Sequence, residues 1–296
     1  MSRFTRREFL HWTAAASAFA CMDRKTLAAR LASLPGSLPA LNQKFAATDT
    51  VTLGQTGIKT SRLAMGTGTV GSGHHSNQTA LGIDGLSRLL QNGYDNGLRF
   101  FDAADSYGSH PHVAEALKHV DRTKVTLLTK SWARSASEMN ADLERFRREL
   151  GTDHLDIVLM HCVTEGDWTT RYRGAMDALS EAKQKGIVRA HGCSCHTIEA
   201  LRAAAKSPWV EVDLARVNPI GSHMDAEPDV VVSVLREMRV AGKGVVGMKI
   251  LGQGDLRNRQ NEALTYALGL GVLDAFTIGA ESVNEQNDLM KRIAAA

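Results

Sequence analysis

Three apolar segments of this chain end in side chains that can hold or exchange protons. Asp102, Lys130 and His161 each stand at the end of such a segment, and Tyr107 follows Asp102 by five residues. A buried lysine is costly unless its charge is paired, so Lys130 predicts a partner nearby, and Asp102 is the obvious candidate. Strands that end in such residues indicate a site rather than a hydrophobic core.

The apolar residues of the same segments predict the floor of that site. Side chains alternate along a strand, so a residue two positions before an inward-facing one faces inward as well. If the three ionisable residues point to one side, Phe100, Leu128 and Leu159 point there too.

A tyrosine, a lysine and a carboxylate together indicate proton transfer at a carbonyl group. A tyrosine hydroxyl has a reference pKa of about 10, and a cation beside it favours the phenolate and lowers that value. Lys130 would be the cation, held by Asp102, so Tyr107 could donate a proton to a carbonyl oxygen that His161 orients. None of these side chains is a source of hydride, so the chemistry requires a nicotinamide cofactor.

These residues, in this order, resemble the aldo-keto reductases. The Asp, Tyr, Lys and His of that family fall on Asp102, Tyr107, Lys130 and His161. The resemblance runs from about Val51 to the C-terminus and includes three further segments, Leu53–Gly57, Gly186–Ser194 and Thr277–Ala280. It implies a TIM barrel that binds NADP or NAD across its mouth and reduces aldehydes or ketones to alcohols, or catalyses the reverse reaction.

The resemblance also implies a set of cofactor-binding residues. They are Gly66, Thr67, Ser194, Asn218, Met248, Lys249, Leu251, Gly279 and Ser282. Two of the family's contacts are changed, because Cys195 follows Ser194 where an asparagine is usual, and Met248 stands where an aromatic ring usually stacks on the nicotinamide. A thioether can pack against that ring, although Met248 as a plain core residue is an equal alternative. Lys249 could meet the pyrophosphate.

The segment over residues 279–287 leaves the choice between NADP and NAD open. It contains no arginine or lysine to pair with a 2′-phosphate. The amides of a helix N-terminus can still hold a phosphate there, with Ser282 as the cap.

The order of predicted elements favours a closed α/β barrel. From Arg62 onward strands and helices alternate eight times in about 235 residues, as a (β/α)8 TIM barrel requires. The predicted strands cover residues 62–66, 98–104, 124–130, 154–161, 187–194, 212–218, 244–250 and 273–279. The predicted helices cover residues 77–96, 111–120, 136–150, 169–185, 197–206, 227–241, 259–269 and 282–294.

The sequence also predicts an N-terminal hairpin and leaves one alternative fold. Two short strand patterns around a glycine turn predict an N-terminal β-hairpin over residues 50–61, of the kind that closes the bottom of such a barrel. An open doubly wound sheet is the alternative fold, but its glycine signature is weak here, since Gly66–Gly71 leads into more loop rather than into a helix.

The first 45 residues differ from the rest and predict a twin-arginine-type signal with a linker, ahead of a barrel domain over residues 46–296. Thr5–Leu10 matches the twin-arginine pattern, which export machinery reads as an address, so we expect an exported, periplasmic protein. The alternative is a cytoplasmic protein whose basic helix start contains Arg6 and Arg7. Ala18–Ala20 offers a cleavage site, and Cys21 raises lipidation as a minor alternative.

The charge of the chain implies no nucleic-acid partner once that segment is set aside. Residues 1–45 hold seven Lys and Arg against two acids, which leaves 28 basic and 30 acidic residues in the remainder. The overall charge of +3 therefore indicates nothing about nucleic acid. Beyond the N-terminus, the sequence contains no apolar run of about 18 residues, so we expect no stable membrane span. The expected partners are a small carbonyl or alcohol substrate and the export machinery.

Several other residues have two interpretations. His74 and His75 favour a flexible wall of the substrate site over a metal site, and Trp132 favours a pocket wall, while Trp168 could do the same or cap an outer helix. A disulfide between Cys162 and Cys195 is conceivable in an oxidising compartment, but buried thiols, Cys193 among them, are the better interpretation.

Three competing functions fit parts of the pattern. A Schiff-base aldolase uses a lysine at a barrel strand end but leaves Tyr107 unexplained. A metal-dependent hydrolase needs several histidine and acidic ligands, and only His161 and Asp102 are placed for one, so we expect no metal at this site. A nicotinamide-binding sensor or partner subunit with little turnover would explain the altered cofactor contacts, although the complete set of four catalytic residues argues against it.

Overall fold

Eight parallel strands close into a barrel in the computed structural model, which describes residues 44–296. The strands follow one another around the barrel in chain order, and the last strand pairs with the first. The predicted closed barrel is therefore confirmed, and the open doubly wound sheet is wrong. The predicted twin-arginine signal lies outside the described residues and stays a prediction.

The described elements have the following bounds. The strands are β1 Thr50–Thr52, β2 Lys59–Ser61, β3 Leu63–Gly66, β4 Phe100–Asp102, β5 Thr126–Ser131, β6 Leu155–Val163, β7 Val188–Cys195, β8 Val212–Arg216, β9 Gly244–Met248 and β10 Ala275–Ile278. The α-helices are α1 Gly82–Asp95, α2 His110–Leu117, α3 Ala136–Leu150, α4 Trp168–Arg171, α5 Arg173–Gln184, α6 Ile198–Lys206, α7 Pro228–Val240, α8 Gln260–Gly269 and α9 Val283–Ala295.

All eight predicted βα units are present, and the differences lie at the element ends. The first predicted helix begins at Gly82 rather than at residue 77, because Thr79–Leu81 forms a 3-10 turn and Gly82 then adopts a left-handed φ of 73°. The predicted helix over residues 169–185 is two helices, α4 and α5, because the backbone of Tyr172 leaves the helical region between them.

The alternation of side chains along the strands builds two hydrophobic layers. An inner cluster fills the barrel, and its members include Phe100, Leu128 and Leu159. A larger outer cluster lies between the strands and the helices, with Phe101, Leu127 and other residues of the opposite register. The predicted apolar floor of the site is therefore confirmed.

The N-terminal hairpin closes the bottom of the barrel, as predicted. β1 and β2 pair antiparallel, and Leu53 and Ile58 from their turn join the inner cluster. Gly54 has a φ of +50°, and a Cβ there would lie 2.3 Å from the backbone nitrogen of Gly244 at the start of β9. Only glycine allows so close an approach in this conformation.

The helices begin where the sequence supplies caps. Ser135 and Glu138 form a capping box at α3, and Thr197 caps α6 through the backbone of Ala200. These side chains satisfy amides that a helix start leaves without partners. Within residues 44–296, no helix is both long enough and apolar enough to cross a bilayer.

Candidate active site

A buried ion pair stands at the carboxyl ends of β4 and β5. The ammonium of Lys130 donates to Oδ1 of Asp102 over 2.5 Å and to the carbonyl of Ala103 over 2.8 Å. Lys130 has 0% of its surface exposed, and Asp102 is buried as well. Oδ2 of Asp102 accepts a hydrogen bond of 2.9 Å from the hydroxyl of Thr277 on β10. The predicted partner of Lys130 is therefore Asp102, and Thr277 fixes the carboxylate from the other side.

The ion pair keeps Lys130 charged. Burial alone would lower the pKa of its ammonium, but the negative charge of Asp102 and the neighbouring Tyr107 outweigh burial and raise the pKa above its ordinary value. The result is a permanent cation in a part of the barrel that excludes water.

Tyr107 lies over this cation. It ends a 3-10 turn, Asp105–Tyr107, and Gly108 then takes a left-handed φ of 64° that turns the chain into α2. Nζ of Lys130 is 4.9 Å from the centroid of the Tyr107 ring, and the ring meets the edge of His161 at a centroid distance of 5.6 Å. The four predicted catalytic residues thus converge at one end of the barrel.

The pKa of Tyr107 differs from the sequence-based expectation. Burial raises it most, Lys130 lowers it, Asp102 raises it again, and the net pKa lies above 10.0. The expectation that Lys130 would lower the value overall is wrong, because the cation is itself neutralised by Asp102 and the phenol is partly desolvated. With this raised pKa the hydroxyl is protonated at neutral pH, which is the form that can donate a proton.

His161 is a neutral imidazole beside the tyrosine. Burial lowers its pKa well below 6.5, and the nearby cations Lys130 and Arg134 lower it further. Nδ1 of His161 lies 3.3 Å from the hydroxyl of Ser106. The strand register shifts between Met160 and Val163, the stretch that contains His161. Such a bulge can re-aim a side chain at a strand end.

The loop that follows β3 covers the tyrosine. A Cβ on Gly68 would lie 2.2 Å from Cε2 of Tyr107, and one on Gly71 would lie 2.4 Å from Cδ1 of the same ring. The backbone nitrogen of His74 donates to the carbonyl of Ser106 over 2.8 Å, which joins the loop to the 3-10 turn. The two glycines therefore let the loop backbone lie directly against the ring.

An ion network holds the 3-10 turn from outside. Arg145 on α3 donates to both carboxylate oxygens of Asp105, over 2.7 and 2.9 Å, and also to Glu149. His110 is buried and bonds Glu149 at 2.7 Å through Nδ1 and Thr129 at 2.8 Å through Nε2. Helix α3 thereby fixes the segment that carries Tyr107.

Sequence reasoning missed four residues of this arrangement. Thr277, Gly68, Gly71 and Arg145 each position a predicted catalytic residue, yet none was singled out. The two glycines lie in the segment Gly66–Gly71, whose spacing indicates a weak phosphate-binding motif rather than a contact with Tyr107. Thr277 lies inside a segment that matched the family, and its strand-end position was the available signal.

Three of the predicted cofactor residues face the barrel mouth. Met248 belongs to the inner cluster at the end of β9, with 9% of its surface exposed. The hydroxyl oxygen of Ser194 accepts from the amide of Cys162 over 3.1 Å, and its hydrogen stays available to a carbonyl group. Lys249 follows Met248 with a left-handed φ of 55°, and its ammonium meets Oε1 of Gln253 at 2.5 Å.

Other predicted cofactor residues are engaged within the protein. The hydroxyl of Thr67 donates to the carbonyl of Asp102 over 2.9 Å, and a Cβ on Gly66 would lie 2.8 Å from Oγ1 of Thr277. The side-chain amide of Asn218 donates to Ser222 and accepts from two backbone amides of its own loop. Leu251 packs against the outer cluster. These side chains shape the mouth rather than offer free polar groups to a ligand.

The loop before α9 is closed over by the loop after β3. A Cβ on Gly279 would lie 2.6 Å from Oγ1 of Thr69 and 2.7 Å from Nε2 of Gln78. The hydroxyl of Ser282 accepts from the amide of Glu285 over 3.2 Å, which confirms the predicted cap. The carboxylate of Glu285 in turn accepts from the amide of Glu281 over 2.7 Å.

The other residues that the sequence left with two interpretations are the tryptophans, the histidine pair and the cysteines. Trp132 is 50% exposed and lies 5.3 Å from the His161 ring, and its place in a substrate-pocket wall stays a prediction. Trp168 is buried and packs against Trp209 among the outer helices. His74 and His75 are exposed loop residues. The described cysteines are free thiols, Cys193 and Cys195 buried and Cys162 half-buried, so the alternative disulfide between Cys162 and Cys195 is wrong.

The family model of the aldo/keto reductases matches residues 62–268 of the chain. The chain belongs to the aldo/keto reductase family. Its members are oxidoreductases that use nicotinamide cofactors, and the resemblance identified in the sequence is confirmed.

Curated relatives match parts of the chain. Methylglyoxal reductase DkgB of Salmonella typhi is 31% identical over 112 residues, which are 36% of this chain and 42% of that protein. D-threo-aldose 1-dehydrogenase of a Pseudomonas species is 21% identical over 208 residues, 59% of this chain and 62% of that protein. The chain thus spans about half the length of the curated relatives it matches.

Solved structures share the whole barrel. A putative aldo-keto reductase from Pseudomonas aeruginosa superposes with a TM-score of 0.71 at 19% identity, over 86% of this chain and 97% of that one. The holo form of an aldo-keto reductase from Bacillus halodurans gives a TM-score of 0.71 at 19% identity, over 84% of this chain and 92% of that one. At this identity the likeness shows the fold alone.

The contact between Gly68 and Tyr107 gives a direct test of the site geometry. Gly68→Ala must displace the ring, so the rate of carbonyl reduction is expected to fall by about a hundredfold, the scale of an ångström-sized misplacement. Gly269→Ala is the matched control, because a Cβ at Gly269 meets no atom within 4 Å. Turnover and thermal unfolding of both variants are measured together. Equal activity of the two variants would show that the loop does not position Tyr107.

Proposed function

We propose that the protein reduces small aldehydes or ketones to alcohols with a nicotinamide cofactor, and that Tyr107 donates the proton. The observation that carries the proposal is the convergence of Tyr107 and His161 on the buried Lys130–Asp102 pair, at the carboxyl ends of three neighbouring strands. Enzyme sites in this barrel lie at that end of the strands.

Tyr107 has the properties of the general acid. Its raised pKa keeps the hydroxyl protonated until a carbonyl oxygen gains negative charge and takes the proton. The phenolate that remains then lies beside the ammonium of Lys130, which stabilises it at short range in a site that excludes water. Asp102 holds that ammonium in place before and after the transfer.

His161 acts on the same oxygen as a neutral group. With its pKa far below 6.5, the imidazole carries one N–H that can donate to a carbonyl oxygen without competing as a proton source. Trp132 lies beside it and offers an apolar wall for the rest of the substrate. This arrangement orients the carbonyl while Tyr107 supplies the proton.

The barrel mouth fits the cofactor that the family uses. Met248 on β9 presents an apolar, polarisable surface toward the lumen, and Ser194 on β7 retains a hydroxyl hydrogen. These residues would hold the nicotinamide ring and its carboxamide. When bound, the nicotinamide supplies the hydride that no side chain of the site can provide.

The charges before α9 favour NAD over NADP. The amide of Glu281 already donates to the carboxylate of Glu285, and the side chain of Glu281 accepts from Asn77 over 2.7 Å. Two carboxylates therefore stand where a 2′-phosphate would need cations or free amides. The same carboxylates can accept hydrogen bonds from ribose hydroxyls. The segment that carries Glu281 and Glu285 therefore favours NAD(H).

The relatives point to the class of substrate. The matched proteins include a methylglyoxal reductase and an aldose dehydrogenase, whose names denote a small dicarbonyl compound and a sugar. A compact polar aldehyde fits a site whose walls are the exposed Trp132 and the glycine-rich loop after β3.

The proton-donor assignment is tested with Tyr107→Phe. Wild-type protein should oxidise NADH in the presence of methylglyoxal or simple aldoses, and the variant should lose at least about a hundredfold in turnover, the scale of general acid catalysis. Cofactor affinity, measured by quenching of tryptophan fluorescence, should stay within a few-fold. Near-full activity of the variant would refute the assignment. Cofactor binding by the wild type without turnover of any aldehyde would favour a sensor.

The cofactor preference is tested by comparing NADH with NADPH. We expect kcat/KM to be at least about tenfold higher with NADH, which corresponds to about 1.4 kcal/mol. Glu281→Gln should narrow that ratio by improving NADPH. Asp288→Asn is the matched control, because this carboxylate lies further along α9 and pairs with Arg292. A wild-type preference for NADPH would contradict the charge argument.

A further inference from the structure

Two cysteines and an aspartate share one face of β7 and β8, outside the catalytic site. The register places Cys193 directly beside Asp213, and Cys195 lies two residues further along β7 with its side chain on the same face. Both cysteines belong to the outer cluster between the barrel and the helices, whereas Ser194 between them faces the barrel interior. None of the three side chains has any exposed surface.

The donor atoms have the separations of a metal site. The two sulfur atoms are 3.7 Å apart, and Oδ2 of Asp213 lies 3.4 Å from Sγ of Cys193 and 4.0 Å from Sγ of Cys195. Around a tetrahedral zinc ion, with bonds of about 2.3 Å to sulfur and about 2.0 Å to oxygen, the sulfur atoms stand about 3.8 Å apart and a sulfur and an oxygen about 3.5 Å apart. The three ligands are therefore already in place.

The carboxylate of Asp213 lacks the partners that a buried charge requires. Oδ1 accepts no hydrogen bond from any described residue, although the side chain is fully buried. The ammonium of Lys243 donates instead to the carbonyls of Ser207 and Val210. An oxygen that stays unpaired in such a place calls for an explanation, and a cation is the direct one.

Two other clusters of possible metal ligands differ from this one. Asp105, His110 and Glu149 also bring three donor atoms together, but Arg145 already neutralises both carboxylates. Cys162 and His196 approach within 3.0 Å at the barrel mouth, but they supply only two ligands. The group on β7 and β8 has three donors without an ion partner among the described residues.

We propose that Cys193, Cys195 and Asp213 bind a zinc ion through their two sulfur atoms and the carboxylate of Asp213. Thiolates are soft ligands that select zinc over magnesium or calcium. A metal ion held by protein ligands with no exposed surface has a structural role. Binding transfers the two thiol protons to solvent, and the proton of Asp213 if it carries one, as the sulfur and oxygen atoms bond to the metal. The ion would join β7 to β8 behind the strand ends that carry Ser194 and Asn218.

The test uses the full chain, purified without chelator, incubated with zinc and then dialysed to remove the unbound metal. We expect about one zinc per chain by elemental mass spectrometry, and X-ray absorption should show two sulfur neighbours at about 2.3 Å with light-atom ligands at about 2.0 Å. Cys193→Ser and Asp213→Asn should each weaken zinc binding at least about tenfold. Cys162→Ser should retain the metal, because Cys162 lies outside the cluster.

Each alternative outcome is distinguishable. A wild-type protein that holds less than about a tenth of an equivalent after dialysis overturns the proposal, and so does zinc that is lost in Cys162→Ser but kept in Cys193→Ser. If the cluster variants fail to fold, wild-type protein loaded with cobalt(II) decides: a tetrahedral spectrum with thiolate charge-transfer bands supports the site, and their absence rejects it. These readouts do not depend on carbonyl reduction, so they stand apart from the proposed function.

Discussion

The ion pair between Lys130 and Asp102 is the interaction on which the site depends. An ammonium with no exposed surface persists only because a carboxylate, the carbonyl of Ala103 and the neighbouring phenol surround it. Removal of one member of a buried pair typically costs about 3–5 kcal/mol, because the other charge is left uncompensated. The barrel holds this pair at the ends of adjacent strands, and Thr277 from the far end of the chain locks the carboxylate. The proposed proton donation by Tyr107 depends on this fixed cation, because the cation stabilises the phenolate that remains.

The rest of the mouth serves to keep Tyr107 over that cation. Gly68 and Gly71 bring one loop against the ring, and Arg145 holds the turn that carries the ring from the opposite side. The resulting burial raises the pKa of the phenol more than the cation lowers it. Tyr107 is thus protonated before a carbonyl oxygen binds. The ammonium of Lys130 is already in place to stabilise the phenolate that proton transfer leaves. Carbonyl reduction needs this combination of a protonated donor and a nearby positive charge.

The barrel and the four central residues could be predicted from the sequence because each signal was local. Apolar strands that end in Asp102, Lys130 and His161 fix both the layer and the end of the barrel on which these side chains lie. Thr277 and Arg145 could not be selected, since nothing local distinguishes them from the other threonines and arginines until the chain closes. Asn218 and Thr67 show the converse, because hydrogen bonds within the protein occupy their side chains: Asn218 bonds its own loop, and Thr67 bonds the carbonyl of Asp102 on β4. The net pKa of Tyr107 could not be predicted from the sequence either. It depends on the burial of the ring and on its distances from Lys130 and Asp102.

The most direct test of the central claim is a double-mutant cycle on the ion pair. Asp102→Asn and Lys130→Met should each lower kcat/KM for carbonyl reduction by at least about a hundredfold, the scale of losing assisted proton donation. The double variant should be no slower than the worse single variant, because residues that act as one unit lose their effect together. Circular dichroism establishes that each variant is folded. Single variants with wild-type rates, or losses that multiply in the double variant, would contradict the account.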